Sequence, residues 1–173
     1  MPALAPLVAR LRGVRQWLND QLAPPLSGDQ RAVVIDTNSL IDFPDLLAML
    51  KARDVPYVPK RVHEELDGLK HVRSGDEEAQ ARAARARHAI AGIDRAADGV
   101  RIEASKLHLC AADWGPSPDN EVLSVAVHLS LNPVLLITSE RNLRQKAKAE
   151  CIPAASPPAR GRHELGAGVQ QAL

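Results

Sequence analysis

Aromatic residues are scarce in this sequence, and the scarcity limits how the chain could bind nucleic acid. The 173 residues include four aromatic side chains: Trp17, Phe43, Tyr57 and Trp114. Sheet surfaces that bind RNA by stacking bases, such as those of RRM and OB domains, rely on several aromatic side chains. The composition therefore argues against a base-stacking sheet.

Cysteine is also rare, and histidine follows no metal-binding spacing. Cys110 and Cys151 lie in no CxxC motif, so we expect both to be reduced core residues of a cytoplasmic protein. The six histidines form neither HxxxH nor HExxH. We therefore expect no zinc site.

The sequence lacks both an excess of charge of one sign and a long apolar run. Lys and Arg number 22 and Asp and Glu 21, giving a formal net charge of +1, so a nucleic acid would have to bind a local basic patch. No uncharged apolar run approaches the ~18 to 20 residues that cross a bilayer. We expect a cytoplasmic protein with no membrane span, and its length favours one domain with short extensions.

An amphipathic helix is predicted over residues 3–23. Arginines interrupt its apolar stretch, which argues against a signal peptide. We expect the helix to pack on the body or to form a homodimer with a second copy; another partner or a membrane surface is the alternative. Its apolar stripe consists of Leu4, Leu7, Val8, Leu11, Val14, Leu18 and Leu22.

Composition also predicts the domain boundaries. Residues 1–30 form the helix and a linker that contains Pro24, Pro25 and Gly28. Residues 31–155 form the body. Residues 156–173, rich in Pro, Gly and Ala, are expected to be a flexible tail.

The body alternates β-rich runs with helical stretches. Strands are predicted at 31–35, 55–58, 100–104 and 134–138, with a short one in CIPA at 151–154. Helices are predicted at 39–52, 61–69, 77–97, 119–131 and 141–149. Apolar strands separated by helices pair in parallel and are covered on both faces. The sequence thus predicts an α/β fold with three layers, α/β/α, around a central parallel sheet.

Four acidic residues are predicted to lie at the carboxyl edge of this sheet, where ligands of such folds bind. Asp36 follows the first strand, Glu65 is early in the helix after the second, Asp119 is in the first turn of its helix, and Glu140 follows the fourth strand. Each one alone could cap a helix, complement its dipole or belong to a solvated face.

Together, the four carboxylates would repel one another unless something positive lay among them. A divalent cation is the simplest neutraliser, and ligation by oxygen without histidine or thiolate favours Mg²⁺ or Mn²⁺ over zinc. Such an ion lowers the pKa of water and offsets charge on a phosphodiester undergoing hydrolysis. The acids therefore indicate a metal-dependent phosphodiesterase.

The segments that carry these acids resemble the PIN domain, a family of metal-dependent ribonucleases. Asp36 in IDTN, Glu65 in VPKRVHEELDGLK and Asp119 in PDNEVL match its first three acids, and Glu140 in TSERNLRQKA stands where the family has aspartate. The resemblance covers roughly residues 31–154. It implies a PIN-like fold and a Mg²⁺- or Mn²⁺-dependent endoribonuclease that hydrolyses single-stranded RNA, with the four acids as metal ligands and catalytic residues.

The same segments suggest residues that could contact substrate. Arg82, Arg85, Arg87 and His88 could line a groove for the phosphate backbone or form a solvated helix face. The RNA target and an inhibitory or regulatory protein partner are left open. The predicted substrate-binding residues are Asn38, Lys70, Thr138, Asn142 and Arg144.

Glu140 also supports an alternative. Its extra methylene moves the carboxylate by ~1.5 Å, and a displacement of that order can cost ~100-fold in rate, so a second metal is in doubt. A catalytically weakened or inactive PIN-like module that binds RNA or protein is therefore an alternative. A receiver domain or a haloacid-dehalogenase-like phosphatase is another, although IDTNSL lacks the DxDxT of the latter. No GxGxxG follows a strand, which disfavours a dinucleotide oxidoreductase.

Overall fold

A parallel five-stranded sheet forms the centre of the protein. The computed structural model describes residues 8, 10–12, 23–71, 76–96, 98–110 and 114–158. The strand order is β3-β2-β1-β4-β5, with all neighbours parallel. Helices flank this sheet, which confirms the predicted three-layer α/β/α fold. The strands are β1 (Arg31–Ile35), β2 (Asp54–Pro59), β3 (Arg101–Glu103), β4 (Val134–Ile137) and β5 (Ala154–Ala155), and the helices are α1 (Thr37–Asp42), α2 (Lys60–Lys70), α3 (Glu77–Arg95), α4 (Pro118–His128) and α5 (Arg141–Ala149).

The central strand β1 explains where the first acid lies. Its residues 32–35 are fully buried, as expected of a β-branched apolar strand with neighbours on both sides. In the pairing of β1 with β4, Ile35 lies opposite Ile137. The next residues along the two strands, Asp36 and Thr138, are therefore neighbours at the carboxyl edge of the sheet.

Polar side chains define where several helices begin. Asp36 caps α1 by accepting a hydrogen bond from the backbone N–H of Ser39. Ser117 caps α4, and Pro118 occupies its first turn, as the sequence predicts. These caps fix the backbone on either side of the predicted acids.

The predicted helix at 39–52 is shorter in the structure. Helix α1 ends at Asp42, and a separate 3₁₀ turn covers Leu46–Met49. Pro44 explains the break, because proline lacks an N–H and excludes the α conformation from the residue before it. Phe43 accordingly has φ −132° and ψ 72°.

The third strand is less buried than predicted. It pairs with β2 alone, at one edge of the sheet, and its Ile102 is 55% exposed. The expectation that every strand is covered on both faces is therefore wrong for β3. Its alternating sequence is compatible with an edge strand as well as with an inner one.

The two cysteines differ in burial. Cys110 is buried, as expected, but Cys151 is exposed, so its prediction as a core residue is wrong. Cys151 follows the end of α5 with φ 57°, and its N–H and that of Ile152 donate to the carbonyls of Lys148 and Ala147. This is a Schellman motif, which places the residue after the helix on the surface and buries the next one, Ile152.

Parts of the two termini lie outside the described residues. Within the predicted N-terminal helix, Val8 and Leu11 are helical and exposed, at 41% and 60%. Most of that helix, and the predicted tail from 159 onward, lie outside the described residues, so the division into 1–30, 31–155 and 156–173 stays a prediction. None of the described helices has the length and apolar character needed to cross a bilayer.

Candidate active site

All four predicted acids line one small cavity at the carboxyl edge of the sheet. The cavity has a volume of about 110 Å³. Its acids come from four places in the chain: the end of β1, the middle of α2, the first turn of α4 and the residue before α5. The parallel sheet thus brings together carboxylates that are more than 100 residues apart in sequence. The lining consists of Asp36, Thr37, Asn38, Glu65, Pro118, Asp119, Val122, Glu140 and Leu143.

Asp36 is the most buried acid of the cluster, at 4% exposed. Its Oδ2 accepts a hydrogen bond from Thr138 Oγ1 at 2.5 Å, and its Oδ1 accepts one from Ser39 N–H at 2.7 Å. Burial nevertheless raises the pKa of Asp36, and the charge of Asp119 raises it further. The fold therefore holds this carboxylate in place at an electrostatic cost.

Glu140 is held by a side chain from α1. Its Oε1 accepts a hydrogen bond from Asn38 Nδ2 at 2.5 Å, and its backbone N–H donates to Thr138 Oγ1 at 3.0 Å. Burial raises the pKa of Glu140, followed by the charges of Asp119, Asp36 and Glu65. The other three acids therefore act on Glu140 as like charges, in addition to the larger effect of burial.

The other two acids have cationic partners. Glu65 accepts hydrogen bonds from Arg61 Nε at 2.9 Å and from Thr37 Oγ1 at 2.5 Å. Asp119 pairs with Lys146, whose Nζ lies 3.5 Å from Oδ2. Lys146 also donates to the side chain of the buried Asn120 at 2.9 Å. Two cations therefore offset part of a cluster of four acids.

The donor atoms of the cluster suit a hard divalent cation, but they are not arranged as a complete coordination shell. Among the described residues, no three His, Cys, Asp or Glu side chains are gathered in positions that would hold a metal. The carboxylate oxygens are instead occupied by Thr138, Ser39, Thr37, Arg61, Lys146 and Asn38. Hydroxyl and ammonium partners can rotate away, and all four acids supply the oxygen ligands that Mg²⁺ and Mn²⁺ prefer.

The predicted substrate-binding residues fall into two groups. Asn38 lines the cavity, Thr138 holds Asp36, and Arg144 Nη1 donates to the backbone carbonyl of Thr138 at 2.8 Å. Lys70 and Asn142 do not line the cavity. The ammonium of Lys70 contacts Asp67, and Asn142 is exposed in the first turn of α5.

Sequence reasoning did not assign the partners of the acids individually. The pair of Arg61 and Glu65 has the i, i+4 spacing of a helical ion pair and could have been found from that spacing. Contacts between distant elements carry no such signal. Arg82 Nη2 on α3, for example, donates to Asn38 Oδ1 on α1 at 2.9 Å.

A larger cavity lies at the opposite edge of the sheet. It has a volume of about 450 Å³, and its lining includes residues that precede β1, β4 and β5, such as Asp29, Pro133 and Pro153. Asp29 is the one carboxylate in this lining. The smaller cavity is the candidate active site because its acids converge at the edge where parallel sheets bind ligands.

Comparison with known proteins identifies a family and no specific activity. A family model described as the PIN domain matches residues 33–157. The comparison with curated proteins finds no match. One similar solved structure is described as a domain of a functionally unknown protein from Methanocaldococcus jannaschii DSM 2661. It is 21% identical over 77% of this chain and 94% of that chain, with a TM-score of 0.48.

Proposed function

This chain belongs to the PIN domain family, and we propose that it is a metal-dependent endoribonuclease that hydrolyses phosphodiester bonds of single-stranded RNA. PIN domains are generally nucleases. The observation that carries the proposal is the convergence of Asp36, Glu65, Asp119 and Glu140 on one cavity. Four carboxylates in so small a space are costly for a scaffold and useful for binding a divalent cation.

The four acids would hold Mg²⁺ or Mn²⁺, which PIN domains typically use. The bound ion supplies activation of the attacking water and neutralisation of charge on the phosphate. Thr138 fixes the orientation of Asp36, and Asn38 fixes that of Glu140. Lys146 and Arg61, each beside one acid, would help to balance the charge of the phosphodiester. These roles for the side chains are part of the proposal.

The alternative is a weakened or inactive module that binds RNA or protein. The present pairing of Glu65 with Arg61 and of Asp119 with Lys146 favours it, because part of the negative charge is already offset without a metal. Titration of the protein with Mn²⁺ by calorimetry separates the two. The nuclease should bind the ion, whereas a scaffold neutralised by its own cations should not.

The proposal is tested by incubating the full chain with a fluorescent single-stranded RNA. We expect cleavage in Mn²⁺ or Mg²⁺, none in EDTA, and little cleavage of the same RNA annealed to its complement. Absence of cleavage of any RNA in either ion would contradict the proposal, and absence of Mn²⁺ binding as well would support the alternative. A cytoplasmic location, a homodimer and an inhibitory or regulatory protein partner remain predictions alongside it.

A further inference from the structure

A second cavity adjoins the acidic one. It has a volume of about 370 Å³ and shares three of its residues, Thr37, Asn38 and Glu65, with the acidic cavity. Its other walls are Gly68 and Leu69 of α2 and Arg82 of α3. A ligand reaching from one cavity into the other would therefore pass over Thr37 and Asn38.

Arg82 connects the two cavities through hydrogen bonds. Arg82 is exposed, and its Nη2 donates to Asn38 Oδ1 at 2.9 Å. The amide of Asn38 in turn donates to Glu140 at 2.5 Å. A guanidinium has five N–H donors in a planar fork that matches a phosphate, so Arg82 can contact an anion while it stays bound to Asn38.

The α2 wall of this cavity is apolar and has space at Gly68. A Cβ added to Gly68 would meet no atom within 4 Å, so the helix surface there is open. Leu69 is partly buried and packs against the core. The cavity thus combines one cation with an apolar wall, and its volume is in the range that accommodates a small ligand.

We propose that this cavity is a nucleotide subsite, which binds the residue of single-stranded RNA next to the scissile bond. Arg82 binds the phosphate of that nucleotide, and the surface of Gly68 and Leu69 contacts its ribose and base. Asn38 links occupation of the subsite to the position of Glu140. The inference rests on the proposed nuclease function, because it takes the acidic cavity as the place of cleavage.

Two pairs of variants of the full chain test the subsite. Arg82→Ala removes the phosphate contact, and Arg95→Ala removes an exposed arginine from the same helix outside this cavity. Gly68→Phe fills the open space, and Ala91→Phe adds the same ring at an exposed position of α3 outside both cavities. Each variant is assayed with a single-stranded RNA 12-mer and with bis(p-nitrophenyl) phosphate, which has no neighbouring nucleotide.

We expect Arg82→Ala and Gly68→Phe to lower kcat/KM for the RNA at least tenfold more than for the small diester, while Arg95→Ala and Ala91→Phe match wild type. RNA affinity is also measured by fluorescence anisotropy in the non-cleaving Asp36→Asn background. There, Arg82→Ala should reduce the slope of log affinity against log salt by about 0.7, the value for one phosphate contact on a single strand.

The outcomes distinguish failure of the subsite from failure of the nuclease. An equal loss on both substrates, or an unchanged salt slope, would show that Arg82 only positions Asn38 and would overturn the subsite. No hydrolysis of either substrate by wild type in Mn²⁺ would refute the nuclease, and the anisotropy series would still decide whether the subsite binds RNA. Absence of RNA binding in that series would overturn the subsite as well. Circular dichroism of each variant confirms that the compared proteins are folded.

Discussion

Carboxylates are paired with cations differently at the two edges of the sheet. At the amino edge, Asp54 is matched by one cation: Arg31 Nε and Nη2 lie 3.0 and 2.9 Å from Asp54 Oδ1. The Asp54 side chain is fully buried, and its Oδ2 accepts a backbone hydrogen bond from Lys51 at 3.2 Å. At the carboxyl edge, four acids share one cavity, and only Glu65 and Asp119 have a cation within 4 Å among the described residues.

This difference is the one expected between a structural ion pair and the metal-binding site proposed above. A carboxylate paired with a fixed guanidinium stabilises one arrangement and leaves no capacity for a ligand. Burial and the charge of Asp119 raise the pKa of Asp36 and of Glu140, so a cation bound among these acids would have negative charge left to neutralise. Substitutions at the two edges should therefore affect different quantities, activity at one and stability at the other.

Asp36→Asn should have the largest effect on activity. Removing the charge of the most buried acid should lower RNA cleavage well over 100-fold, since even indirect partners of a metal are worth 10- to 100-fold. Asn can still cap α1, so the melting temperature should not fall. Asp29→Asn, at the amino edge, is the control and should cleave like wild type. Full cleavage activity in Asp36→Asn would contradict the assignment of the metal site.

The same substitution should also change how stability, measured in EDTA, depends on pH. An acid whose pKa is raised by folding binds its proton more tightly in the folded state, so its ionisation costs stability once the pH rises above the ordinary value of 3.8. The cost is complete above the raised pKa. We expect the melting temperature of Asp36→Asn to gain on wild type from pH 4 upward and to match it below pH 3.8. A constant difference at all pH values would argue against this cause.

Asp54→Ala should have the largest effect on stability. It leaves the guanidinium of Arg31, 11% exposed, without its partner, and breaking such a pair typically costs about 3 kcal/mol. Urea denaturation measures the loss. RNA cleavage well below the melting temperature should stay within about twofold of wild type. If Asp54→Ala instead lost activity at unchanged stability, the division between the two edges would be wrong.

Lys146→Met tests whether the cations at the carboxyl edge compete with a metal. Removing Lys146 leaves Asp119 without a cation within 4 Å among the described residues. Mn²⁺ affinity measured by calorimetry should therefore rise, by up to about tenfold given the partial exposure of the pair. Lys148→Met, two residues later in α5 and exposed, is the matched control and should bind Mn²⁺ like wild type. Weaker binding in Lys146→Met would assign Lys146 a supporting role instead.

Cys151→Gly should have the smallest effect and should alter stability alone. Glycine removes the strain of a left-handed backbone at φ 57°, but it also makes the unfolded chain more flexible. The net gain in the free energy of unfolding should be about 0.5 to 1 kcal/mol. Cys151→Ala keeps the Cβ and should give no gain. Chemical denaturation compares the two, and equal stability of both variants would exclude backbone strain as the cause.

The sheet and its flanking helices could be predicted from the sequence because the patterns that indicate them are local. The apolar run of β1, the cap at Ser117 and the periodicity of α5 each lie within a few residues. The order of acids along the chain and the rule that ligands bind at carboxyl ends of parallel strands also placed all four acids in one region, where the structure brings them together.

The side-chain contacts that could not be predicted from the sequence depend on packing between distant elements. Nothing in the sequence indicates that Arg82 would contact Asn38, 44 residues away, or that Lys146 would pair with Asp119. Pro44 could have been used to end α1, whereas the exposure of Cys151 follows from the geometry at the end of α5. Long-range side-chain pairing and helix termination therefore account for most of what sequence reasoning did not supply.

The two carboxylate oxygens of Asp36 have different partners, and this arrangement has an evolutionary consequence. One oxygen starts helix α1 through Ser39 and the other is held by Thr138, so position 36 serves both folding and chemistry. Asparagine separates the two, since it keeps the cap and loses the charge. A lineage that abandoned cleavage but kept this fold is therefore expected to carry Asn at position 36 rather than Ala, and that single identity would mark descendants retained as scaffolds.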